Sequence, residues 1–373
     1  VDVYLRWIDA LQTAGNSQQA LDLAKTLARD FPDSLQARRG VGTIYRGAGQ
    51  NEQAAVEFQA VLDAAPLDLA TRLALGETLA TLGRFDEATA IFQDGLKQPA
   101  GHAELNTAIG RLNESQGKMG RAIQAYRDAI TANPDYWQAA AELGRVFVQL
   151  DRPNKALETV NAALQRRPDV TPLLTLQGDA NLALGRQPEA LASYRTALDL
   201  LTSDAAPDLG VAQERAVLLT RIGAMQLKAR NFNSAQASFK EALQLDPNAV
   251  AAHVGLGNLY LAEAMAETAS RAVSPEPGAP KATDETRYNQ SISALQEALS
   301  IDPESIDARI GLGDLNAAYG RRADAIPYYQ EALSRDPAQT DVRKKLFDLY
   351  VQLGRTEEVV SFYRQTLIDN PDS

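Results

Sequence analysis

The chain has 373 residues, more than one hydrophobic core usually serves, so it must divide into domains or extend as a repeat array. It has no cysteine, which excludes disulfides and thiolate chemistry, and its net charge of −11 argues against nucleic acid, whose binding rests on phosphate neutralisation. No apolar run approaches the ~20 residues that span a bilayer, so no direct membrane insertion is expected.

Taken in chain order, the first residues from Val1 read as helix rather than as a signal peptide. The chain begins without Met, as one whose leader or preceding domain has been removed would, and cytoplasmic and periplasmic locations both stay open. Glycine then recurs at Gly42, Gly76, Gly110, Gly144 and Gly178 in strides of 34 residues, and at Gly223, Gly257 and Gly313 in strides of 45, 34 and 56. Ala54, Ala88, Ala122, Ala156, Ala190, Ala235 and Ala325 follow at twelve residues. Four further on lie Phe58, Phe92, Tyr126, Tyr194, Phe239 and Tyr329, and prolines such as Pro32, Pro66, Pro134, Pro168, Pro247 and Pro303 close most units. Such phasing predicts helical hairpins in which Gly and Ala let two helices cross closely. The aromatic fills the space toward the next unit, and proline ends the second helix. Gly15, Gly49, Gly83, Gly117, Gly185, Gly320 and Gly354 fall between the two helices, where C-cap turns belong.

The long strides carry insertions of 11 and 22 residues, and eleven residues make about three helical turns. Around the first, Thr202 to Asp208 reads as a loop and Val211 to Lys228 as a lengthened first helix. Around the second, Leu261 to Arg271 continues a helix, Ser274 to Pro280 forms a tip, and Asp284 begins a descending helix. The expectation is a helical finger over about 261–290, against the alternative of a disordered insertion rich in proline. Its apolar residues are Leu261, Met265 and Val273, with Tyr288 opposite, enough for a small interface or for packing between its arms. The units are thus 1–202 (repeats one to six), 203–215 (an insertion), 216–249 (repeat seven), 250–304 (repeat eight with the finger) and 305–373 (repeats nine and ten). In the end units Ile8 and Phe347 stand where the glycine would be. The closing segment shows Val359, Val360, Phe362, Tyr363, Leu367 and Ile368, so self-association or further repeats are expected to cover it.

Val41-Gly42-x2-Tyr45, Ala54-x3-Phe58 and Pro66 resemble the tetratricopeptide repeat pattern. Leu143-Gly144-x2-Phe147 with Ala156 and Pro168 matches less fully, because Val160 replaces the aromatic. The resemblance covers nearly the whole chain. It implies an all-α, right-handed α-solenoid of antiparallel helix pairs, with about ten repeats. It further implies that first helices line a concave groove gripping a peptide or a partner helix, with the residue after each repeat glycine facing inward. The groove residues expected on that basis are Arg39, Arg46, Glu77, Arg111, Arg145 and Asp179. Two readings stay open: a self-neutralising ladder of Glu77 with Arg111 and Arg145 with Asp179, or an arginine pair holding a partner's carboxylate. The Lys/Asn carboxylate clamp of chaperone-binding repeats is absent, since Leu5, Arg39, Leu73, Thr107 and Ala141 occupy its positions.

Nothing in the sequence points to chemistry. His102 and His253 are many repeats apart, and no H-E-x-x-H, P-loop or nucleophile elbow occurs. The Gly-x-Gly pairs at Gly255/Gly257 and Gly311/Gly313 sit at the close-contact position inside helices. No catalytic residue, metal site or cofactor is expected. The reading is a non-catalytic scaffold for a protein or peptide partner. The alternative is the solenoid arm of a larger enzyme or secretion machine.

Overall fold

The computed structural model describes residues 1–98, 100–202, 209–273 and 283–369. Among them there is helix and turn but no β-strand, and no helix is long and apolar enough to cross a membrane. Positions 203–208 and 274–280, read above as loop and tip, lie outside the described residues.

The chain divides into two compact units. The first, Val1–Arg186, holds α1 (Asp2–Thr13), α2 (Ser17–Asp30), α3 (Leu35–Gly47), α4 (Asn51–Ala64), α5 (Leu69–Thr81) and α6 (Phe85–Gly95). It continues with α7 (His102–Ser115), α8 (Met119–Ala132), α9 (Trp137–Gln149), α10 (Pro153–Leu164) and α11 (Thr171–Ala183). The second unit, Gln187–Ser373, holds α12 (Gln187–Leu201), α13 (Leu209–Lys228), α14 (Phe232–Leu245), α15 (Val250–Val273) and α16 (Thr283–Ile301). Its remaining helices are α17 (Ile306–Ala318), α18 (Arg322–Arg335), α19 (Thr340–Gln352) and α20 (Thr356–Asp369). Within each unit, neighbouring odd-numbered and even-numbered helices pack as hairpins, such as α3 with α4 and α17 with α18, and each second helix packs on the next first helix.

Side-chain size at the crossing explains the sequence markers. A Cβ on Gly76 would lie 2.2 Å from the Phe92 ring, and one on Gly110 or Gly313 would lie 2.4 Å from Tyr126 or Tyr329. Only glycine admits the aromatic knob, and each knob is at most 2% exposed. Burying such a ring contributes roughly 1.5–3 kcal/mol. Where the knob shrinks to Val160 or Leu295, it still sits on Gly144 or Gly257. The first hairpin inverts the sizes, with Ile8 and the small Ala24 sharing one buried cluster.

The turn glycines adopt φ of 68–76°, the left-handed conformation that caps a helix without Cβ strain. Asp151 (φ 53°) and Arg230 (φ 60°) hold the same slot in their hairpins. In the eighth repeat Ala264 stands there instead, and α15 runs on to 24 residues. The two arms nevertheless cross at the ordinary point, because Ser291 Oγ donates to Gly257 O at 2.8 Å. The extra turns therefore lie beyond the regular crossing.

A second device joins consecutive hairpins. Arg72, four residues before its repeat glycine, is 3% exposed. It donates to Pro66 O (2.7 Å), which closes the previous hairpin, and to Ile91 O (3.0 Å) and Asp94 (3.1 Å) on its own second helix. Arg309 repeats this with Pro303 O and Glu331. Arg38 reaches Pro32 O and Glu57, Arg343 reaches Pro337 O, and His253 Nε2 reaches Pro247 O at 3.0 Å. Proline removes the backbone donor that would prolong the helix, and this side chain satisfies the carbonyl left at the break.

Candidate functional site

The candidate groove residues of the first unit lie on its first helices, α3, α5, α7 and α9, with Asp179 on α11. Four of them belong to one chain of ion pairs. Arg46 donates to Glu77 at 3.1 Å, and Glu77 lies 4.0 Å from Arg111. Arg111 donates to Glu142 at 2.8 Å, Glu142 accepts from Arg145 at 3.0 Å, and Arg145 donates to Glu114 at 2.7 Å. Three guanidinium groups thus alternate with three carboxylates across four helices. Arg39 stands apart and pairs with Asp68 at 2.8 Å. Asp179 is engaged as well, though not with Arg145 by any of these bonds.

Local structure sets the spacing. The strong pairs are 31 residues apart, as in Arg46–Glu77, Arg111–Glu142 and Glu114–Arg145. That is the 34-residue period less about one helical turn. The expected 34-residue partner, Glu77 with Arg111, is the loosest link of the chain. Glu114 and Glu142 were missed by looking only at the residue after each glycine; opposite charges at a spacing of 31 were the available signal. The same spacing recurs in the second unit, where Lys345 donates to Asp314 at 2.7 Å.

Charge and burial are coupled at the end of the chain of pairs. The Arg145 hydrogen bond holds the Glu114 carboxyl below its ordinary value against the opposing effect of burial, and Tyr126 Oη donates to the same carboxylate at 3.0 Å. Burial first, then the neighbouring Glu114 charge, pushes the Tyr126 hydroxyl well up, so it remains a donor. At Asp68 burial works upward, but the Thr71 N–H and hydroxyl and Arg39 outweigh it and lower the carboxyl. Arg111 and Arg145 keep 49% and 38% of their side chains exposed, and Arg145 Nη1 donates to Gln149 at 3.1 Å, so all three nitrogens of that guanidinium are engaged.

The finger residues are divided. Met265 is 58% exposed, while Leu261 packs against the cluster of Val254, Leu295 and Leu312. Tyr288 is 6% exposed; it shares a hydrogen bond with Asn316 Oδ1 (3.2 Å), meets Tyr319 edge-on at 5.0 Å and lies under Arg321 at 4.1 Å. It sits three residues before Ser291, close enough to the crossing to be absorbed into the next hairpin's core, so it is not available as a contact surface. The Val273 side chain lies outside the described residues. Glu263 and Arg287 bridge the two arms at 2.9 Å.

No group of three His, Asp or Glu side chains able to hold a metal occurs among the described residues. His102 Nε2 is bonded to Gln98 O at 2.8 Å and His253 belongs to a hairpin junction.

Paired helices with a glycine–aromatic crossing and charged first helices define a helical-repeat interaction solenoid. Models described as "Tetratricopeptide repeat" match residues 5–68, 45–112, 115–180, 226–275 and 285–369. The chain belongs to the tetratricopeptide repeat family, whose members are generally non-catalytic and bind proteins or peptides. No curated protein matches it in sequence. Among solved structures, a monomeric mutant of IFIT1 with Gppp-AAAA is 17% identical at TM-score 0.59, over 94% of this chain and 82% of that one. A human IFIT1 dimer with PPP-AAAA is 18% identical at TM-score 0.54, over 91% and 76%. The MamA protein is 25% identical at TM-score 0.35, over 44% and 91%. The IFIT1 likenesses are of fold.

Proposed function

We propose that this chain is a non-catalytic scaffold whose first unit holds a segment of a partner protein along its first-helix face. The observation that carries this is the chain of pairs from Arg46 to Glu114, in which Glu77 and Arg111 are exposed and the other four half-buried. A bare structural ion pair at the surface contributes only about 0–1 kcal/mol, so stability alone does not account for six such groups in one row. A partner segment with carboxylates engages Arg111 and, in exchange for its Gln149 bond, Arg145, and its own cations meet Glu77 and Glu142. Specificity then comes from charge order.

Nucleic acid suits this face less well. The IFIT1 structures hold Gppp-AAAA or PPP-AAAA, but a phosphate placed on Arg111 or Arg145 here would also face Glu77, Glu114 and Glu142. The net charge of −11 adds to that opposition.

The test is Arg111→Gln with Arg145→Gln, compared with the native chain by pull-down and then by calorimetry against the partner recovered. Helicity stays unchanged and affinity falls by about 2 kcal/mol or more, the order found for hydrogen-bonded charge pairs at interfaces. Equal affinity in the double variant moves the site off this face. A second reading, the arm of a larger machine or a self-associating solenoid, draws support from Val360 and Tyr363 on α20, 48% and 39% exposed. Sedimentation showing a monomer at all concentrations removes the self-associating form.

A further inference from the structure

The junction between α8 and α9 lacks the arginine found at the Pro32, Pro66, Pro303 and Pro337 junctions. Pro134 holds the place of Pro66 and Pro303, but the position six residues later is Ala140, where Arg72 and Arg309 stand elsewhere. The carboxylate is gone too: Ala162 occupies the slot of Asp94 and Glu331. What remains is a cleft of about 330 Å³ between α8 and α10, on the second-helix side of the first unit. Its walls are apolar, from Ile130, Leu143, Phe147 and Ala163, with Ala140 and Pro134 beneath.

The rim decides what can enter. Arg127, Lys155 and Arg166 stand around it, against a single Glu158. Arg166 is paired with Asp135 at 3.2 Å, whereas Arg127 and Lys155 have no ion pair among the described residues. Lys155 instead lies 6.0 Å from the Phe147 ring centre. The cleft has the place of an arginine side chain, yet another cation is the wrong occupant, since the balancing carboxylate is missing and the rim is already positive. On a chain of net charge −11, this local excess of positive charge is the reverse of the surroundings.

We infer that this cleft is a second docking site, which takes one large apolar side chain of an acidic peptide segment, with the flanking carboxylates on Arg127 and Lys155. It is separate from the first-helix face and does not depend on that proposal. The apolar anchor supplies burial, and the two cations supply orientation and selectivity.

The decisive variant rebuilds the missing stitch. Ala140→Arg with Ala162→Glu copies Arg309 and Glu331, and Ala332 in that hairpin shows that the alanine at position 163 is compatible with the arginine. The probe is a fluorescein-labelled peptide of sequence Asp-Glu-Phe-Asp-Glu repeated once, with parallel peptides carrying Leu, Trp or Ala at the Phe, and one with Lys at every acidic position. Anisotropy should show micromolar binding of an aromatic or Leu peptide to the native chain. The Ala and Lys peptides should bind at least tenfold more weakly. The filled variant should lose at least tenfold, and so should Arg127→Glu with Lys155→Glu, which leaves the cleft open and covers the case in which the filled variant misfolds. Arg111→Gln with Arg145→Gln should bind the probe as the native chain does, separating this site from the first-helix face. Failure of every acidic peptide to bind, preference for the Lys peptide, or undiminished binding by a folded filled variant each overturns the proposal.

Discussion

Replacing Arg72 with Met keeps an unbranched side chain in the space while removing every donor. Arg72 is 3% exposed and makes three bonds, to Pro66 O at 2.7 Å, Ile91 O at 3.0 Å and Asp94 at 3.1 Å. The Ile91 carbonyl keeps its place in α6, and the Asp94 carboxylate returns to water. The Pro66 carbonyl belongs to an exposed residue and turns to water, so the loss is that of the charged hydrogen bonds and not of a stranded acceptor. Hydrogen bonds to charged groups contribute about 1.5–3 kcal/mol. Arg72→Met should therefore lose roughly 1.5–3 kcal/mol. Because repeat stability is largely nearest-neighbour, the loss should appear first as faster amide exchange in α4, α5 and α6. The matched control is Arg335→Met, whose partner Glu304 is exposed and whose removal should leave the melt unmoved. Equal losses in the two variants, or an Arg72→Met melt unchanged in urea, would refute the stitch as a source of stability.

Other outcomes follow from the same geometry. Gly76→Ala places a Cβ 2.2 Å from the Phe92 ring and should destabilise by about 1–3 kcal/mol through overpacking, whereas Gly120→Ala meets nothing within 4 Å and should be neutral or stabilising in the same thermal melt. The Glu114 carboxyl lies below its ordinary 4.5, so its contribution is complete above that pH and is lost as pH falls through the lowered value. Glu114→Gln should flatten the stability profile below pH 4.5, and an unchanged acid limb in urea melts at stepped pH would contradict the assignment. Deleting Glu263 to Asp284 restores the 34-residue stride and should leave a folded array that melts within a few degrees of the native chain; collapse of its circular dichroism would show the extended arms to be integral.

The hairpins were legible because each marker answers to one steric demand. Gly76 opposite Phe92 and φ-positive Gly83 at the turn are demands that few other residues meet. Ala264 in the turn slot was the legible sign that α15 continues, and Asp151 and Arg230 show how a hairpin closes without the glycine. The ion-pair partners were harder to read, because a 34-residue count compares equivalent positions while Arg111 reaches Glu142, one turn short of its equivalent. The hairpin stitches were harder still. Arg38, Arg72, Arg309 and Arg343 look like ordinary surface charges until the proline six residues earlier is seen as the acceptor. Tyr288 was misplaced for a related reason: sequence distance along the finger says nothing about which residues the next hairpin covers.

The uneven distribution of the stitch has a mechanical consequence. Under tension applied along the backbone, a linear array fails at its weakest seam, and seams here are not alike. Those at Pro66 and Pro303 are riveted by a buried guanidinium, while the seam at Pro134 faces Ala140 and has no rivet. In a single-molecule stretching trace the seam between α8 and α9 should open before the Pro66 seam. Anything seated in the cleft at that seam then acts as a removable fastener, so load and occupancy oppose each other at one place in the chain.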